Sequence, residues 1–149
     1  MARSSRSAQR GGAAVELGRD QAEVQEILDR LANAVTTGNG QATARMWAVP
    51  ALVLGDSMVR PIDTLSEVEQ FFSGAKFEYN AKGITDTRAE IVDLRWPSTR
   101  IAIVDVRWPW LDENGNETGD EVSTYVFRRD DSGHLKIQAV IMHGASAET

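Results

Sequence analysis

The chain has 149 residues, 42% hydrophobic and 26% charged, with 12 Gly, 4 Pro and no Cys, the composition of one ordinary globular domain. The missing cysteines exclude disulfides, thiolate metal sites and a cysteine nucleophile, and two His are too few for a histidine cage around a metal. A formal charge of −6 repels phosphate backbones and no local basic cluster offsets it, so nucleic acid is not an expected partner.

Residues 1–19 carry Arg3, Arg6, Arg10 and Arg19 against the single acid Glu16; rich in Ser and small residues, they read as a disordered basic tail. The folded domain is placed at residues 20–146. No apolar run approaches the roughly 20 residues of a membrane span, and no signal-peptide core is visible, so a cytoplasmic protein without a membrane partner is expected.

From Asp20, a plausible N-cap, the pattern turns helical: Val24, Ile27, Leu28, Leu31 and Val35 recur at steps of three and four. Glu26 and Arg30 form an i,i+4 pair, and Gly38-Asn39-Gly40 is a stop signal. A short helix over 41–47 follows, Pro50 ends it, and Ala51–Leu54 reads as a buried strand. Thr64-Leu65-Ser66-Glu67 matches a capping box, and Leu65, Val68, Phe71 and Phe72 then mark one helical face up to Gly74. Beyond it the period changes to two, and strands are expected over 85–96, 99–110, 119–129 and 135–143. Helices first and an antiparallel meander second is an α+β order, with helices on one face of a curved sheet.

Three stretches carry a family resemblance: the helix ILDRLANAV running into GNGQATARMWA, the passage PIDTLSEVEQFF, and the closing hairpin VFRRDDSGHLKIQAVIMHGAS. Through them the chain resembles the nuclear transport factor 2-like (NTF2-like) superfamily, which includes ketosteroid isomerase, scytalone dehydratase and the SnoaL-like polyketide cyclases. The resemblance implies a cone-shaped antiparallel sheet wrapped around N-terminal helices, a pocket inside the cone, and a homodimer through the outer face of the sheet. It specifies a scaffold rather than a chemistry. Leu135 stands where an aromatic is common. The relatives' catalytic sets do not transfer: Asp105 precedes Arg107 where the epoxide hydrolases have the reverse order, the first helix has no Tyr, and only His143 is placed for a pocket where scytalone dehydratase-like sites need two His.

The candidate chemistry lies on the strands. Val92-Asp93-Leu94-Arg95-Trp96-Pro97 returns as Val104-Asp105-Val106-Arg107-Trp108-Pro109, placing Asp and Arg two apart on one side of each strand. A hairpin about residues 97–99 sets Asp93 opposite Ile103 and Asp105 opposite Ile91, with the two acids diagonal. Inside the cone one of these acids would serve as base or acid and an Arg as anion anchor; outside it they would be cross-strand ion pairs or meet a twofold-related subunit. The opposite face of the second strand, Ala102, Val104, Val106, Trp108 and Trp110, is apolar and is either core or interface. His143 follows Leu135, Ile137, Ala139 and Ile141 by steps of two and is expected on their interior face, as a proton shuttle or as a core histidine.

The expected catalytic set is therefore His143, Asp105 and Arg107, with Tyr125, Trp47 and Met46 shaping a substrate cavity and no metal or cofactor. Phosphate loops, Gly-x-Ser-x-Gly and His-Glu-x-x-His are missing. The expected function is a pocket for a small apolar molecule, with isomerase, cyclase or dehydratase chemistry by acid and base. The alternative is a non-catalytic ligand-binding or dimerisation module of the same fold.

Overall fold

The structure, a computed structural model, describes residues 6–147, with side chains for 20–144. The first helix, α1, runs Arg6–Thr36; the segment expected to be a tail therefore overlaps the helix from Arg6 onward, and residues 1–5 lie outside the described residues. Asp20 sits within this helix rather than capping it. Glu26 and Arg30 pair at 3.8 Å on the exposed side. Val24, Ile27, Leu28 and Leu31 are buried, so the apolar stripe is the face that meets the sheet. Gly38 (φ 74°) takes the left-handed conformation that ends the helix. Asn39 then caps α2 (Gly40–Arg45), its side-chain oxygen accepting from the Ala42 N–H at 3.0 Å.

Strand β1 spans Trp47–Gly55 and pairs with β2 (Met58–Ile62), a strand the sequence pattern did not predict. Pro50 lies inside β1 instead of before it. The β1 register shifts between Trp47 and Leu52, a bulge where the ladder does not need the N–H that proline lacks. The expected capping box is formed at α3 (Leu65–Phe72): the Glu67 N–H donates to Thr64 Oγ1 at 3.1 Å and that hydroxyl meets the Glu67 carboxylate at 3.2 Å. A further helix, α4 (Ala75–Ala81), was not anticipated. It buries none of its residues, and Phe77 stands exposed upon it.

The meander comprises β3 (Asp86–Thr87), β4 (Glu90–Arg95), β5 (Ile101–Leu111), β6 (Glu117–Arg129) and β7 (Leu135–Ala147). The sheet order is β2-β1-β7-β6-β5-β3, with β4 also on β5, and β1 parallel to β7. The result is an α+β fold whose curved, unclosed sheet wraps around the helices as a cone. Along β5 every second residue, Ala102, Val104, Val106 and Trp108, is buried, so the apolar face is the interior and the Asp/Arg face is the exterior. Phe127 and Ile137, both fully buried, complete the floor against α1. Among the described residues no helix is long and apolar enough to cross a membrane.

The β4–β5 register differs from the expected one. Asp93 faces Asp105 directly, not diagonally, because the hairpin is centred on residue 99, one later than expected, which pairs Arg95 with Ile103 and Leu94 with Val104; the shift between Ile91 and Asp93 comes only after this pair.

Candidate functional site

A cavity of about 800 Å³ lies inside the cone between the sheet and the segment α3–α4. Its wall is mostly apolar, and one strand delivers a column of its polar groups. Glu121, Ser123 and Tyr125 alternate along β6 and so point to the same, inner side, opposite Trp108, Val106 and Val104 of β5. Phe127, next in the series, is fully buried and anchors that face in the core.

Tyr79 reaches this column from α4: its phenol donates to Glu121 Oε1 at 2.9 Å, tying the otherwise loosely packed helix to the sheet. Burial pushes the Glu121 carboxyl above its ordinary 4.5, opposed by the Tyr79 hydrogen bond and by the charge of Lys82. Burial likewise pushes the Tyr79 and Tyr125 phenols up, with the Glu121 charge adding to the effect, so both are neutral donors. Tyr125 is 8% exposed and its ring packs edge-on to Trp108 at 6.1 Å between centroids. The arrangement is a carboxyl with raised proton affinity, flanked by hydroxyl donors, in an apolar chamber. Such a group exchanges a proton with a bound molecule at a pH nearer neutrality than a solvated carboxylate does.

The residues picked out by sequence divide between the two sides of the sheet. Tyr125 lines the cavity. Trp47 is buried against Phe72, 5.7 Å between ring centroids, and supports the wall without forming it. Met46 packs on the core, and its carbonyl accepts from the Ile137 N–H at 2.8 Å.

Asp105, Arg107 and His143 lie on the outer face. His143 is therefore not on the interior face that its alternation with Leu135, Ile137, Ala139 and Ile141 predicts. The β6–β7 ladder shifts register between Phe127↔Ile137 and Val126↔Ala139, so Gln138 is an extra residue and the face inverts. Ile137 points in, Val140 and Met142 take the inner side after the bulge, and Ile141 is 40% exposed. His143, the extra residue of a second bulge, is exposed; its Nε2 lies 2.6 Å from Thr124 Oγ1, which in turn donates to Asp105 Oδ1 at 2.6 Å. Because the single hydroxyl proton goes to the carboxylate, Nε2 carries the proton that meets the hydroxyl oxygen.

Arg107 is held by three carboxylates: Nε donates to Asp120 at 2.7 Å, Nη1 to Glu90 at 2.8 Å, and Nη2 to Glu117. This fan crosses three strands and fixes their register; it does not reach the cavity. The sheet thus keeps the three residues together on one face but separates them from the chamber.

Glu121, Ser123 and Tyr79 were not identified from sequence. For the first two a signal existed, since Glu121, Ser123, Tyr125 and Phe127 step by two, and an interior Tyr125 brings a carboxylate onto the same face. Among the described residues no group of three or more metal-ligating side chains is placed to hold an ion.

A cone-shaped sheet wrapped around helices, with a chamber between them, defines an NTF2-like protein. A family model described as NTF2-like protein (DUF6841) matches residues 21–145, and the chain belongs to that family. No curated protein matches the sequence. Among solved structures, a domain of unknown function with a cystatin-like fold from Nostoc punctiforme is similar at TM-score 0.67 and 18% identity, over 84% of this chain and 76% of that one. An NTF2-like protein of unknown function from Shewanella oneidensis aligns at TM-score 0.64 and 16% identity, over 84% and 99%. A ketosteroid isomerase-like protein from Erwinia carotovora aligns at TM-score 0.62 and 11% identity, over 86% and 96%. At these identities the likeness is one of fold.

Proposed function

We propose that the cone binds a small, mostly apolar molecule and exchanges a proton with it through Glu121, in cofactor-independent isomerase, cyclase or dehydratase chemistry. The observation that carries this reading is the half-buried Glu121 carboxyl, hydrogen-bonded to Tyr79 at the wall of a chamber of about 800 Å³. Tyr79 holds one carboxyl oxygen, leaving Oε2 to face the ligand. Ser123 and Tyr125 supply hydroxyls along the same strand for an oxygen of the ligand on which charge develops. The ketosteroid isomerase-like name of one structural relative agrees with proton transfer in a cone of this shape.

The outer face has a separate part in the proposal. Its half-exposed aliphatic residues, with the Asp105–Thr124–His143 chain among them, form the surface on which the homodimer implied by the family resemblance would pair.

A thermal-shift screen of apolar metabolites against the wild type, Glu121→Gln, Ser123→Phe and His143→Ala tests the site. Ligand shifts should vanish in Ser123→Phe, which fills the chamber, change in Glu121→Gln and persist in His143→Ala. Shifts that survive Ser123→Phe or disappear in His143→Ala would place the ligand elsewhere.

A further inference from the structure

Glu121 lacks the basic partner that several other partly buried carboxylates of this protein have. Glu90, Glu117 and Asp120 share Arg107, and Glu23 meets Arg129 at 2.9 Å. Glu121 has no basic side chain within ion-pair distance among the described residues; its partner is a neutral phenol. A buried carboxylate is costly without a counter-charge. Lys82, at the end of α4, is the cation of the cavity wall, but it is exposed, and the same wall also carries Glu78. The wall therefore holds two carboxylates to one ammonium. Six aromatic side chains, Phe71, Phe72, Tyr79, Trp108, Trp110 and Tyr125, line the same cavity, and aromatic π-faces attract cations. The chain's charge of −6 draws cations toward such a cleft.

From this combination we infer that the ligand is an organic cation: an apolar body bearing a protonated nitrogen that pairs with Glu121 Oε2 and is enclosed by the aromatic wall. The inference names the ligand class of the same chamber and rests on the reading of that chamber as the binding site. Its proton bookkeeping is simple: an ammonium N–H donates to the carboxylate, and where Glu121 begins protonated, its proton is released to solvent on binding.

The probes are three naphthalene derivatives of one shape, 2-naphthylmethylamine, 2-naphthylmethanol and 2-naphthoate, titrated into the full chain at pH 8 by NMR. A charge-assisted bond plus aromatic contact should favour the amine over the alcohol by about tenfold. In Glu121→Gln the amine should lose that advantage and bind like the alcohol. In the wild type it should also lose it at pH 4, below the ordinary carboxyl value, a readout that needs no variant. Equal binding of amine and alcohol, abolished by Ser123→Phe, would overturn the cation while leaving the chamber as the site. A preference for the naphthoate would overturn it in favour of an anion held by Lys82. Binding of none of the three would remove both the cation and the chamber reading.

Discussion

The Tyr79–Glu121 pair gives the sharpest energetic prediction, because it is the hydrogen bond that ties α4 to the sheet inside the chamber. Tyr79→Phe deletes the donor and keeps the ring. A hydrogen bond to a neutral partner contributes about 1 kcal/mol net, and one to an ionised partner about 1.5–3 kcal/mol. In a double-mutant cycle of Tyr79→Phe with Glu121→Gln, the coupling should therefore be about 1–2 kcal/mol at pH 8. Glutamine still accepts a hydrogen bond, so part of the interaction survives in the single variant. The pH dependence has a definite sign. Burial raises the folded-state value of Glu121 above 4.5, so the native state binds the proton more tightly than the unfolded chain. Stability relative to Glu121→Gln is then highest below 4.5 and falls as the pH climbs to the raised folded value. Tyr79→Phe removes a bond that lowers that value, so the fall becomes steeper. Urea unfolding followed by tryptophan fluorescence at pH 4 and pH 8 measures all of this, with unchanged m-values as the control for an intact fold. A coupling near zero, or a wild type that gains on Glu121→Gln as the pH rises, would refute a desolvated carboxyl bound to Tyr79.

Phe127, fully buried under α1, should lose about 3–5 kcal/mol as Phe127→Ala in the same unfolding experiment. Thr64→Ala removes a formed cap and should cost about 1 kcal/mol, rescued in large part by Thr64→Ser. Arg107→Ala releases three carboxylates on the outer face; its unfolding midpoint should drop, more at low salt than at high salt, while ligand affinity in the chamber stays unchanged. If the outer face pairs two copies, light scattering at micromolar concentration should give a dimer mass, reduced toward the monomer by Ile141→Lys.

The α+β order, the capping box at Thr64 and the existence of an apolar face on β5 were legible in the sequence because each is a local pattern, one hydroxyl–carboxylate spacing, one strict alternation; which way that face points was not. Positions beyond a register shift were not legible. Leu135, Ile137, Ala139, Ile141 and His143 alternate without interruption in the sequence, yet Gln138 is inserted at a bulge and the residues from there to the second bulge at His143 change sides. The bulge reflects the way β7 fits both β6 and the parallel, irregular β1, where Gln138 donates to the Pro50 carbonyl at 2.5 Å. That demand is tertiary and leaves no local mark. A hairpin centred one residue later than expected set Asp93 opposite Asp105. Helix α4 escaped notice because it buries nothing and so shows no apolar stripe, and Tyr79 was lost with it. The site was therefore half visible: Tyr125 announced the inner face of β6, and the carboxylate that accompanies it two steps earlier was there to be taken with it.

The central claim is that ligands enter the cone around Glu121 and not the outer sheet face that carries His143 and Asp105. The direct measurement is an NMR screen of apolar fragments read at the four tryptophan indoles and at the amides of β5–β7. Fragments bound in the chamber should shift the Trp108 and Trp110 indoles together with the Glu121, Ser123 and Tyr125 amides. Shifts confined to His143, Thr124 and Asp105, with Trp108 and Trp110 unmoved, would contradict it.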